Sequence, residues 1–198
     1  MYFNKPLDDL KNSLKQLPGV GEKTAQRFAL FLLHQDKERT LDLADTIKTA
    51  VEIHSFCDKC NILTDSNPCT ICEDMSRDKT LLCVVENTYD VYLIEATGEY
   101  KGYYFVLNNL LSPMEGIGIK EIHLPELLQR AADPEVEELI LALNPSTEGE
   151  TTIDLIAAET APFNKRVTRL STGLPFGGNI EYSNTLTLSN AIKRRYTI

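Results

Sequence analysis

Four of the five cysteines lie in one sixteen-residue stretch, Cys57, Cys60, Cys69 and Cys72, spaced C-x2-C-x8-C-x2-C. Two CxxC pairs joined by a short loop let four thiolates converge on one ion, the tetrahedral arrangement of a structural zinc site. The loop, Asn61 to Pro68, is rich in turn formers, so the chain can double back there. Four thiolates fill the coordination shell, which leaves no position for a substrate or an activated water. Two disulfides or an iron–sulfur cluster are the alternatives the same spacing leaves open. Cys83 stands apart in the apolar run Leu81 to Val85, as a small buried hydrophobe.

Two further groups of residues have chemistry in reach. Leu17-Pro18-Gly19-Val20-Gly21 sits between two segments of helical spacing. Paired glycines let backbone N–H groups approach a phosphate, and the helix that follows presents its positive end to it. Lys23 and Arg27, four residues apart, share one face of that helix. The pattern is that of a helix–hairpin–helix, which grips the nucleic-acid backbone without reading bases; an ordinary helix–helix turn is the plain alternative. The other group is Asn144-Pro145-Ser146-Thr147-Glu148-Gly149-Glu150 after a buried strand, with Glu86 ending another. Functional groups of open α/β sheets gather at strand carboxyl ends. Glu86, Glu148 and Glu150 are expected to converge there, as an oxygen site for Mg²⁺ or as a solvated acidic loop. His34, His54 and His123 have no Ser, Asp or Cys partner nearby in sequence and are taken as structural.

The elements that must position these residues follow from periodicity. Leu7, Leu10, Leu14 and Leu17 give a helix over 6–16, beginning at Pro6. Lys23 to Leu33 forms a second and residues 40–55 a third. From Lys79 the texture changes to alternating elements: strands at Thr80–Val85, Tyr103–Leu107, Leu139–Leu143 and Val167–Leu170. The helices between and after them are expected at Asp90–Thr97, Ile122–Ala131, Pro134–Glu138, Thr152–Ala161 and Leu186–Lys193. Continuous apolar strands alternating with helices indicate a mostly parallel sheet with both faces covered.

Composition sets the limits. No stretch approaches the roughly 18 consecutive apolar residues of a membrane span, and residues 1–15 lack the apolar core of a secretory signal. Paired thiols in such a chain point to a reducing cytoplasm, where a metal is favoured over disulfides. The net charge of −9 is unevenly spread. Residues 1–56 balance at eight basic against eight acidic. Residues 77–165 carry sixteen acidic against six basic, and 166–198 carry five basic against one acidic. The acidic middle repels phosphates and suits a basic protein partner. The tail adds Arg166, Arg169, Lys193, Arg194 and Arg195 around Gly177-Gly178, which is read as a turn rather than a phosphate loop.

The assembled order resembles the RecR family of bacterial recombination mediators over essentially the whole chain. The resemblance rests on Leu17 to Gly21, the cysteine spacing, Leu82-Cys83-Val84-Val85-Glu86, Thr97-Gly98-Glu99-Tyr100, Asn144 to Glu150, and Val167-Thr168-Arg169 with Leu174-Pro175. It implies a multidomain α+β and α/β chain: a helix–hairpin–helix over 1–56, a four-cysteine zinc finger over 57–76, a Toprim domain over 77–173 and a C-terminal oligomerisation segment over 174–198. Catalytic Toprim enzymes carry a DPDxEGE-type segment, and here Asn144 and Ser146 stand at the two aspartate positions, so no phosphodiester chemistry is expected. The alternative is a Mg²⁺-dependent nuclease or nicking enzyme using Glu86, Glu148 and Glu150. The resemblance implies one structural zinc per chain and sequence-independent binding of single-stranded and duplex DNA through Gly19, Gly21, Lys23 and Arg27. It further implies contact with RecO through Glu86, Glu148 and Glu150, cooperation with RecF in loading RecA onto gapped DNA, a dimer-to-tetramer ring, and a cytoplasmic, nucleoid-associated location. Phe105 stands where family members often have histidine, and the sequence assigns it no role.

Overall fold

The computed structural model describes residues 5–195 and 197, and the chain divides into two units, 1–54 and 55–198. The first unit is three helices: α1 (Lys5–Leu14), α2 (Glu22–His34) and α3 (Lys37–Ile53). Helix α1 ends before Pro18, and Gly19 takes a left-handed φ of 76° in the turn. Asp36 caps α3, its carboxylate accepting the Glu38 N–H at 2.9 Å. The Thr40 hydroxyl donates to the Leu32 carbonyl at 2.8 Å and ties α3 to α2. Among the described residues of this unit only Ala25 and Ala29 are fully buried, and α3 buries none of its residues.

The second unit is built on a four-stranded, wholly parallel sheet in the order β4-β3-β5-β6, comprising β3 (Asp78–Val85), β4 (Gly102–Val106), β5 (Glu138–Ala142) and β6 (Arg166–Arg169). A small antiparallel pair, β1 (Ser55–Phe56) and β2 (Leu63–Thr64), precedes it with the one-turn helix α4 (Thr70–Glu73). Side chains alternate across the sheet, as strand geometry requires. Leu82, Val84, Tyr103, Phe105, Leu139 and Leu141 face one core, against α6 (Leu124–Ala131) and α7 (Thr147–Thr160). Cys83, Val85, Tyr104 and Val106 face the other, which contains Val91 of α5 (Thr88–Glu95) and the cysteine quartet. Burial on both faces is the reason the central runs Leu81–Val85, Tyr103–Val106 and Leu139–Ala142 are continuously apolar. Phe105, 2% exposed, is thus a core residue.

Two expected elements differ. Pro134–Glu138 is not helical. The Asp133 carboxylate accepts the Glu135 N–H at 2.9 Å and its carbonyl accepts the Val136 N–H at 3.1 Å, closing a turn. The Glu137 N–H then donates to the Thr80 carbonyl at 2.8 Å and feeds the chain into β5. Helix α7 begins at Thr147, five residues before the expected Thr152, because Ser146 caps it by accepting the Gly149 N–H at 3.0 Å. The chain ends with α8 (Thr185–Lys193), after a turn in which the Gly178 N–H donates to the Pro175 carbonyl at 3.0 Å. No helix of the described residues is long and apolar enough to cross a membrane.

Candidate functional site

The four cysteines are brought together as their spacing demands. Cys57 and Cys60 flank a tight turn closed by the Asn61 N–H donating to the Cys57 carbonyl at 2.8 Å. Cys69 caps α4, which carries Cys72. Their sulfurs all lie within 4.8 Å of one another, and Cys60 Sγ is 3.6 Å from Cys69 Sγ. Four sulfurs at about 2.3 Å from a central ion in a tetrahedron stand roughly 3.8 Å apart, so the quartet fits a metal of that bond length. All four side chains are buried and all five cysteines are free thiols. Hydrogen bonds from Cys60 and Cys72 hold the Cys69 thiol well below the ordinary range, while the bond to Cys69 and burial push Cys60 up. Four thiolates this close would repel one another strongly, and a central cation would offset that repulsion. The coordination shell is then complete and supplies folding energy rather than reactivity. Cys83 lies outside the quartet, its thiol pushed up to about 12 by burial and therefore neutral and inert.

The metal module is part of the second unit rather than a separate body. The Cys60 carbonyl accepts the Val106 N–H at 2.8 Å, and the Asn61 amide donates to the Val106 carbonyl at 2.9 Å. Tyr103 O–H donates to the Asp74 carbonyl at 2.9 Å. Since β4 is an outer strand, this docking covers backbone groups that an open sheet edge would expose.

In the first unit the hairpin has the expected form. The Val20 N–H donates to the Leu17 carbonyl at 3.1 Å, and Gly21 caps α2 in an extended conformation without any side-chain bond to the helix start. The first-turn N–H groups thus receive no side-chain cap from Gly21. Glu22 is occupied by Lys11 at 3.0 Å and Lys15 at 2.5 Å, hydrogen bonds that hold its carboxyl below the ordinary range. Lys23 and Arg27 are exposed and, among the described residues, have no ion-pair partner.

At the carboxyl ends of β3 and β5 the expected three carboxylates do not converge. Glu86 and Glu148 line one crevice of about 420 Å³, with Asn108, Asn144, Ser146 and, unforeseen, Glu115. Glu150 turns away and accepts a bidentate pair of bonds from Arg169 at 2.8 and 2.6 Å, which lowers its carboxyl from the ordinary value. The cause is helical geometry. Residues two apart in a helix point about 200° apart, so once α7 begins at Thr147 the two glutamates cannot share a crevice. The Asn144 amide donates to Glu86 Oε2 at 2.8 Å. A neutral donor thus engages Glu86, and the carboxylates lining the crevice do not bring their oxygens together as a set of three that could hold a hard cation. A Cβ at Gly149 would run into the Asn144 carbonyl oxygen, so only glycine permits this close approach of helix and strand end. Among the described residues the cysteines form the one convergent group of three or more metal-capable side chains. The imidazoles of His34 and His54 lie 2.7 and 2.9 Å from carbonyls one helical turn back, as structural residues do.

Comparison with known sequences matches three segments to family models: "RecR, helix-hairpin-helix" over residues 7–51, "Toprim domain" over 80–171, and "RecR, C-terminal" over 173–196. The chain is 44% identical over 194 residues to a protein of Heliobacterium modesticaldum named recombination protein RecR, covering 98% of each. It is 43% identical over 195 residues to a Staphylococcus aureus protein of the same name, again covering 98% of each.

Proposed function

The chain belongs to the RecR family of recombination proteins, and from that premise we propose that it serves recombinational DNA repair as a non-catalytic factor that grips the DNA backbone. The observation that carries the non-catalytic reading is the Asn144–Glu86 hydrogen bond. An amide fills the strand-end position where Toprim catalysts use a metal-binding aspartate, and Glu150, the third acidic candidate, is engaged by Arg169. Gly19 and Gly21 shape the hairpin, and Lys23 and Arg27 supply phosphate contacts without base readout, to single strands and duplexes alike. The cysteine quartet holds one structural zinc per chain, a borderline-soft ion suited to four thiolates.

In this account Glu86 and Glu148 meet basic groups of RecO, and the assembly acts with RecF to load RecA onto gapped DNA in the cytoplasm, at the nucleoid. Self-association into dimers and a tetrameric ring is supported by apolar surface that the described chain leaves uncovered. In the first unit this surface includes Leu41, Ile47 and Val51 of α3; in the C-terminal segment from 174 onward it includes Phe176, Tyr182 and Leu186. Such faces are costly in water and typical of obligate contacts. The test of the class is incubation of the pure protein with supercoiled plasmid and Mg²⁺. The account expects intact plasmid; nicking that vanishes in a Glu86→Ala variant would make the protein a metal-dependent nuclease instead.

A further inference from the structure

The four hydrogen bonds that leave the turn after Cys60 all end on two short segments. The Val106 N–H donates to the Cys60 carbonyl, the Asn61 amide donates to the Val106 carbonyl, and the Asn108 amide donates to the Asn61 carbonyl at 3.1 Å. The Leu63 N–H donates to the Thr88 hydroxyl at 2.9 Å. Val106 is the last residue of β4 and Leu107 and Asn108 follow it directly, while Glu86 directly follows β3 and Thr88 lies two residues beyond it. Asn108 and Glu86 are walls of the acidic crevice. Asn61 and Asn108 both hold a left-handed φ, 61° and 60°, so each end of this clamp sits in a conformation its surroundings must enforce.

We propose that the metal module positions the acidic crevice, with Asn61 as the positioning residue. The turn closed between Cys57 and Cys60 sets the Asn61 backbone. Asn61 then fixes Val106 and Asn108 on one wall, while Leu63 fixes the start of α5 beside Glu86 on the other. Metal occupancy thereby governs how well the crevice receives a basic partner, without the metal touching that partner. The second half of this statement rests on the reading of the crevice as the RecO-binding face; the first half does not.

The experiment uses the full-length, zinc-loaded protein and its Asn61→Gly variant, since glycine accepts the left-handed turn and removes only the amide. Zinc content, hydrogen exchange at Val106 to Asn108, and RecO affinity by titration are read together, with Glu86→Gln as control. The proposal expects one zinc per chain in the variant, exchange at Val106 to Asn108 faster by about fivefold, and RecO affinity lower by a similar factor, the scale of losing the one hydrogen bond from the Asn61 amide to the Val106 carbonyl. Chelating the wild type is expected to speed exchange in the same segment. Unchanged exchange at 106–108 in both the variant and the chelated protein overturns the positioning role. Faster exchange with RecO affinity unmoved in both Asn61→Gly and Glu86→Gln keeps the positioning role and overturns the partner reading. If Asn61→Gly loses zinc, Asn108→Ala decides: zinc retained with weaker RecO binding supports the proposal, and zinc retained with RecO binding unchanged overturns it.

Discussion

Glu95→Gln is expected to destabilise the second unit by about 2 kcal/mol at pH 7, because it removes a charge and little else. Arg77 joins the end of the metal module to the start of β3, and its side chain is only 12% exposed. Its guanidinium forms a fork to both Glu95 oxygens and also donates to the Gly102 carbonyl at 2.9 Å. Its Nε has no hydrogen-bond partner among the described residues and stands 3.7 Å from the more exposed Asp74 carboxylate, so the directly bonded Glu95 is the main counter-charge. Tyr104 O–H donates to Glu95 Oε1 at 2.7 Å and is held in place by the same carboxylate. Removing one partner of a fully buried ion pair costs about 3–5 kcal/mol. Glu95 keeps 29% exposure, so water screens part of that, and Gln retains one acceptor, which brings the expectation to about 2 kcal/mol.

The pH dependence supplies an independent check on the same pair. Arg77 holds the Glu95 carboxyl below its ordinary value. A carboxyl whose pKa is lower in the folded state stabilises above its unfolded pKa, about 4.3, and loses that contribution as pH falls through the folded value. The wild type should therefore converge on the variant in acid. Acid release of metal affects both proteins alike and cancels in the difference. Urea unfolding followed by tyrosine fluorescence is suited to this, because the chain has no tryptophan and only Tyr2 of its eight tyrosines lies outside the second unit. A difference below about 0.5 kcal/mol at pH 7, or one that persists undiminished in acid, would refute the assigned role of the pair.

Two further outcomes follow from single positions. Cys60→Ser should abolish stoichiometric zinc binding by metal analysis and destabilise the second unit, since structural sites of this kind carry roughly 10–16 kcal/mol of binding energy into folding; retention of a full equivalent of zinc would contradict the four-thiolate assignment. Gly19→Ala should destabilise the first unit by about 1–2 kcal/mol through its left-handed φ alone, because a Cβ there meets no atom within 4 Å; a thermal melt of the variant indistinguishable from wild type would contradict the turn geometry.

Features fixed by neighbouring residues were legible in the sequence, and those fixed across long separations were not. Leucine spacing, Pro18 and the glycines locate α1, the hairpin and α2 because helix period and turn chemistry are local properties. The apolar runs reveal β3 and β5 because a parallel sheet buries both faces. Pro134 to Glu138 misleads because proline and glutamates also open helices, whereas here the Glu137 N–H is claimed by Thr80, far back in the chain. The start of α7 was in principle readable, since Ser146 with Gly149 three residues on is a serviceable cap. Placing it there would have separated Glu148 from Glu150 at once. Nothing local announces that Arg169 takes Glu150 or that Asn61 reaches Val106, 45 residues ahead. The cysteine spacing therefore identifies the metal site but conceals that the site is built into the edge of the sheet.

The central claim, a backbone-gripping hairpin on a non-catalytic chain, is tested most directly by the salt dependence of DNA binding. Fluorescence anisotropy with a labelled single strand would compare wild type with the Lys23→Ala/Arg27→Ala variant, each alone and mixed with RecO, the partner proposed above, between 50 and 200 mM salt. Two phosphate contacts on a single strand contribute about 1.4 to the slope of log affinity against log salt, or ~7-fold in affinity across that range for each hairpin engaged. The account predicts that the double variant loses this share of the slope, equally on unrelated sequences. An unchanged slope and affinity in the variant would contradict it.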